Sequence, residues 1–126
     1  MRYSIFKRLA PLASLAAQRR YLVHGTRDEY LVPEELLNDA YDVVRQVRTM
    51  PAVRDALPAS AVQAILDLDS LLDAVDGAEQ RTQSNEQLVE HDAAWRAARE
   101  HVARCLDMVG FDLAGWEKTE GFSHAA

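Results

Sequence analysis

Four histidines, one cysteine and twenty carboxylates are the groups in this 126-residue chain best suited to chemistry near neutral pH. His101 and Cys105 stand four apart, a spacing that lets two side chains of one helix reach a single ion. A metal wants three or four ligands, and the nearest candidates point elsewhere. No Glu-x-x-His pattern occurs in the chain, which argues against a di-metal bundle. Asp67 and Asp69 begin like a calcium loop, but Leu72 stands where the EF-hand turn needs glycine. The five glycines are isolated and form no phosphate cradle. Cys105 has His101 as its one candidate base, and a thiol on an apolar helix face is usually inert. The expectation is a buried structural cysteine, a partly exposed histidine, no catalytic residue, no metal and no cofactor.

His91-Asp92, with His24 before it and Asp107 after it, resembles the His…His-Asp…Asp set of HD-type metal-dependent phosphohydrolases. That resemblance implies metal-assisted hydrolysis within a helical fold, and it covers four residues. Helical spacing puts His91 on an apolar stripe with Leu88 and Trp95, while Asp92 points toward Arg96. The four groups are then not expected to converge on one ion, and this enzyme stands as the less favoured alternative.

The elements that would position these groups are all helical. Pro33, Pro51 and Pro58 stand where helices could begin, and Gly25, Gly77 and Gly110 where they could end. Apolar spacing predicts helices over about 4–24, 33–48, 58–76 and 85–109. The first would bury Ile5, Leu9, Leu12, Ala16 and Val23, with Lys7, Ser14 and Gln18 opposite and Pro11 kinking or restarting it. The second would bury Leu36, Ala40, Val43, Val44 and Val47, and the third Ile65, Leu68, Leu71, Leu72 and Val75. The fourth, with a capping box from Ser84 to Gln87, would be the longest, carrying Leu88, Trp95, Val102 and Val109 at heptad spacing. No run alternates with period two, so no strand is expected. The fold class is all-α: a single-domain four-helix bundle over residues 1–126. It carries a short additional helical turn near Ala52–Leu57 and an irregular C-terminal tail whose Phe111, Leu113 and Trp116 cap one end.

Fourteen Lys and Arg against twenty Asp and Glu give a net charge of −6, which disfavours nucleic acid as the main ligand. No stretch of about 18 apolar residues is present, so no membrane span is expected. The balance is uneven: residues 1–27 hold Arg2, Lys7, Arg8, Arg19, Arg20 and Arg27 and no acid, while every acid lies beyond. A signal peptide fits this arm poorly, because its apolar core is broken by Pro11 and runs into Gln18-Arg19-Arg20. A cytoplasmic protein is expected, which also suits a lone thiol.

One local pattern is unfavourable. Along the outer face of the fourth helix, Asp92, Arg96, Glu100, Arg104 and Asp107 alternate in sign, and the acids of the second helix, Glu35, Asp39 and Asp42, sit mostly where the macrodipole favours them. The third helix instead gathers Asp67, Asp69, Asp73 and Asp76 in its C-terminal half, and no Lys or Arg occurs from Asp55 to Gln80. Like charges at i,i+4 cost ~0.2–0.5 kcal/mol per pair, and acids at a helix C-terminus oppose the dipole. Val62, Leu66, Asp69, Asp73 and Asp76 form one strip, which either binds a partner or is covered by Arg19, Arg20 or Arg27. The sequence thus points to a cytoplasmic, non-catalytic protein that neutralises a basic protein partner through this strip, as a monomer or a weak homodimer through the Trp95 face. Small acidic proteins of this kind resemble in kind the bacterial immunity proteins that block nuclease toxins. A secretion chaperone with an apolar groove is the alternative.

Overall fold

The computed structural model describes residues 2–25, 33–79 and 84–120, and the side chains of 5–25, 33–75 and 84–120. The fold is an all-α helical bundle, and no strand occurs among the described residues. The opening segment forms α1 (Arg2–Lys7), α2 (Ala10–Ala13), α3 (Leu15–Gln18) and a π turn (Arg19–Val23). Then come α4 (Pro33–Thr49), the one-turn α5 (Pro51–Arg54), α6 (Ala59–Glu79), α7 (Asn85–His91), α8 (Ala93–Met108) and α9 (Leu113–Thr119).

The two central helices follow directly from their sequences. Pro33 opens α4, where its missing N–H costs nothing. Glu34 and Glu35 fill the first turn and Arg48 the last. Leu36, Leu37, Ala40, Val43, Val44 and Val47 are buried along one side. α6 turns Ala61, Ile65, Leu68, Leu72 and Val75 into the same core, with Leu71 partly buried against it. It continues to Glu79, past the expected end at 76. α6 packs between α4 and α8, and α2 lies on α8.

The expected single helix over 4–24 is broken. Pro11 has no N–H to donate to Lys7, so the chain turns at Arg8 and Leu9 and restarts as α2. A second break follows at Ser14, whose backbone is extended and whose Oγ accepts from Ala17 N at 3.0 Å. Each break rotates the turn that follows it. Ser14 and Gln18, expected on the solvent face, are therefore 1% and 0% exposed, whereas Ala16 is only partly buried. Phe6, Ala17 and Leu22 join Leu9 and Leu12 in the core.

The expected helix over 85–109 also divides. Ser84 and Gln87 form the capping box of α7. At Asp92 the backbone becomes extended, and its Oδ1 accepts from Trp95 N at 2.8 Å, capping α8. Divided into helices of 7 and 16 residues, this stretch has no piece as long as the 21-residue α6. His91 is exposed instead of lying on the apolar stripe, and Asp92 Oδ1 caps α8. Trp95 is fully buried, so the Trp95 face is core and not a surface for a second copy. Asn85 Nδ2 donates to Leu22 O at 3.1 Å, joining α7 to the π turn.

The expected irregular tail is instead helical over α9. Its entry is set by Gly110, at φ 76°, where Gly110 N donates to Asp107 O and Phe111 N to Leu106 O, the Schellman pattern. Asp112 caps α9 through Gly115 N at 2.9 Å. Phe111 and Leu113 pack on the core and Trp116 is partly buried, as expected of an end cap. Ser14 Oγ donates to Glu117 Oε2 at 2.6 Å, tying α9 to the opening segment.

Candidate functional site

The strip of interest lies on α6, a helix with no acid in its first turn and no base in its last. Val62 and Leu66 are partly buried hydrophobics packed against the core, so they edge the strip instead of standing clear of the bundle. Asp69 follows on the same side and faces α4, where Arg48 Nη2 donates to Asp69 Oδ2 at 3.3 Å. Asp73 is exposed and accepts from Tyr41 Oη at 2.7 Å. Four of the five expected residues thus run along the α4–α6 seam; the side chain of Asp76 lies outside the described residues. Asp67, next to this row, accepts from Gln63 Nε2 at 2.7 Å.

Tyr41 and Arg48 are the two residues that the sequence pattern missed. Both sit on α4 and meet α6 only because the helices pack side by side, and no spacing within either helix signals that. The Arg48–Asp69 pair is about half exposed on one side and 38% on the other. Exposed pairs of this kind contribute ~0–1 kcal/mol, so the row keeps most of its unfavourable charge.

The basic opening segment goes elsewhere. Arg8 donates from Nη2 to Asp39 at 2.8 Å and from Nη1 to Asp42 at 2.6 Å. Asp42 also accepts from Arg45 and, at 3.4 Å, from Gln46. The Arg8 guanidinium holds the Asp42 carboxyl below the usual carboxylate range. Arg19 meets Glu90 with two bonds of 2.8 Å and likewise lowers its pKa. Arg20 lies over the ring of Tyr21, 5.7 Å from its centroid. Arg27 lies outside the described residues. Among the described residues, Arg8 and Arg19 neutralise acids of α4 and α7.

Between these two systems a groove of about 580 Å³ crosses α4, lined by Arg8, Asp39, Tyr41, Asp42, Arg48 and Asp69 among others. Its charges answer one another, so it has the character of a polar contact surface. Apart from it, the residues weighed for catalysis stay separate. His24 and His91 are exposed, and Asp92 caps α8. His101 Nε2 lies 2.6 Å from Ala64 O, a contact in which the ring donates, so that nitrogen is turned to backbone. Burial pushes the Cys105 thiol up to about 11. Among the described residues no three His, Cys, Asp or Glu side chains are grouped to hold an ion. Compared with protein-family models, curated proteins and solved structures, the chain matches none of them.

Proposed function

We propose that this chain is a non-catalytic binding protein that neutralises a basic protein partner through the acidic side of α6, in the manner of the small immunity proteins that occupy the basic clefts of nuclease toxins. One observation carries the reading. Arg8 and Arg19 of the opening segment are engaged on Asp39, Asp42 and Glu90 and Arg20 lies over Tyr21, while among the described residues of α6 Asp69 has the exposed contact from Arg48 as its counter-charge and Asp67 and Asp73 accept from the neutral Gln63 and Tyr41. Local rules broken without compensation mark places where function needs them. An acidic face steers a basic partner onto it and rejects acidic ones, and Val62 and Leu66 at its edge add apolar contact. A secretion chaperone would instead call for an apolar groove, and the groove beside this strip is lined by charged residues.

The test uses the intact chain immobilised against an extract of the cells that encode it, with an Asp69→Lys/Asp73→Lys variant beside it. The wild type should retain a basic protein at low salt, and the variant should lose at least tenfold of that affinity, ~1.4 kcal/mol. Because both carboxylates are at the surface, the melting curves should stay within ~4 °C of each other. Equal retention by the two chains, or no basic protein retained by either, overturns the proposal.

A further inference from the structure

The breaks at Ser14 and Asp92 are far apart in sequence and meet in space. In an unbroken helix the carbonyls of Pro11 and Leu12 would accept from the amides four residues on, those of Leu15 and Ala16. Here both accept from a single side-chain nitrogen, Gln18 Nε2, at 3.1 and 2.6 Å. The other break shows the same exchange. Val89 O, which an unbroken helix would pair with Ala93 N, accepts from Arg99 Nη1 at 3.1 Å. Arg99 Nη1 also donates to Gln18 Oε1 at 3.2 Å, and Trp95 Nε1 joins that oxygen at 2.9 Å. Three carbonyls freed by two breaks are therefore served by two side chains that bond to each other.

Neither break carries glycine or proline at the interrupted residue, and the amphipathic spacing of both stretches favours a continuous helix. What opposes continuity, beside the caps made by Ser14 and Asp92, is the fully buried amide of Gln18. A buried carbonyl deprived of its donor costs ~1–3 kcal/mol, and the nearest replacement for each is the helical amide four residues on. Arg99 is partly buried, and burial lowers its pKa.

We infer that the interruptions at Ser14 and Asp92 form one two-state element, latched by the contact between Gln18 and Arg99: they stand open together, and losing the latch closes both helices together. A signal received at one break is then felt at the other, between the basic opening segment and the α7–α8 corner. This inference does not depend on the identity of any partner.

Residue-resolved amide exchange of the full chain tests it, wild type against Arg99→Met. Arg99 is partly exposed, so its replacement spares the apolar core. Closing the helix at Ser14 would give the amides of Leu15 and Ala16 their helical acceptors, and their exchange should slow at least tenfold, with that of Ala93. General destabilisation would do the reverse and speed them with all the others. If Arg99→Met fails to fold, Arg99→Ala, which also removes Nη1, gives the same reading. Slowed exchange at Leu15 and Ala16 supports the coupling; unchanged or faster exchange there overturns it.

Discussion

Cys105 sits one helical turn from His101, yet burial withdraws it from reaction. The thiol rises from 9.0 to about 11, while His101 Nε2 is turned to Ala64 O. At pH 8 a shift of that size lowers the thiolate fraction about a hundredfold. Labelling by a thiol reagent should be slower than that of an unfolded control by at least this factor, and urea should restore it. Rapid labelling of the native chain would contradict the burial. The burial of this thiol was legible in the sequence, because its neighbours at helical spacing are apolar. The burial of Gln18 was not: an amide enters a core only when stranded backbone carbonyls need it, and no local pattern shows which carbonyls a distant break will strand. Asp69 and Asp73 were legible as a row, but their partners Arg48 and Tyr41 were not, since pairing across helices depends on how the helices pack.

At the scale of elements, α4 and α6 were read closely because a proline stands at or just before the start of each and their apolar stripes run unbroken. The stretches 4–24 and 85–109 were read as continuous because Ser14 and Asp92 are ordinary polar residues in amphipathic runs. Their capping roles appear only once the backbone has turned. Asp92→Ala should remove the cap of α8 and cost ~1 kcal/mol in denaturant unfolding. An unaltered midpoint would show that the cap contributes nothing. Gly110 makes a separate prediction. Its positive φ has no steric obstacle around it, so Gly110→Ala should cost ~1–2 kcal/mol through backbone strain alone. The same substitution at Gly115 would strike the Asp112 carboxylate, 2.3 Å from the new Cβ, and should disturb the α9 cap as well.

Across the whole molecule, charge is sorted by element among the described residues: Arg8 and Arg19 tie the opening segment to α4 and α7, and Asp69 of α6 meets Arg48 of α4 at a partly exposed contact. The two ties make stability depend on acid. Asp42 and Glu90 are held below the usual carboxylate range by Arg8 and Arg19. Their contribution is complete above the ordinary unfolded value of about 4. It is lost as pH falls through that value and through the lower folded one, because the unfolded chain takes up protons first. The urea midpoint should therefore be flat from about pH 7 to 5 and fall below about 4. An Arg8→Gln/Arg19→Gln chain should fall less steeply, and an identical slope would rule the two ties out as the cause.

The wide turn at Arg19–Val23, closed by His24 N on Arg19 O at 2.9 Å, also measures a distance. On one side of it Gln18 must meet the indole of Trp95; on the other Leu22 must present its carbonyl to Asn85. Deleting Tyr21 would let the ladder tighten to α geometry and swing the two sides by about 100° relative to each other. One appointment could then be kept and the other missed. Five residues in that coil act as a spacer of fixed length, so the chain should tolerate a changed side chain there far better than a missing one.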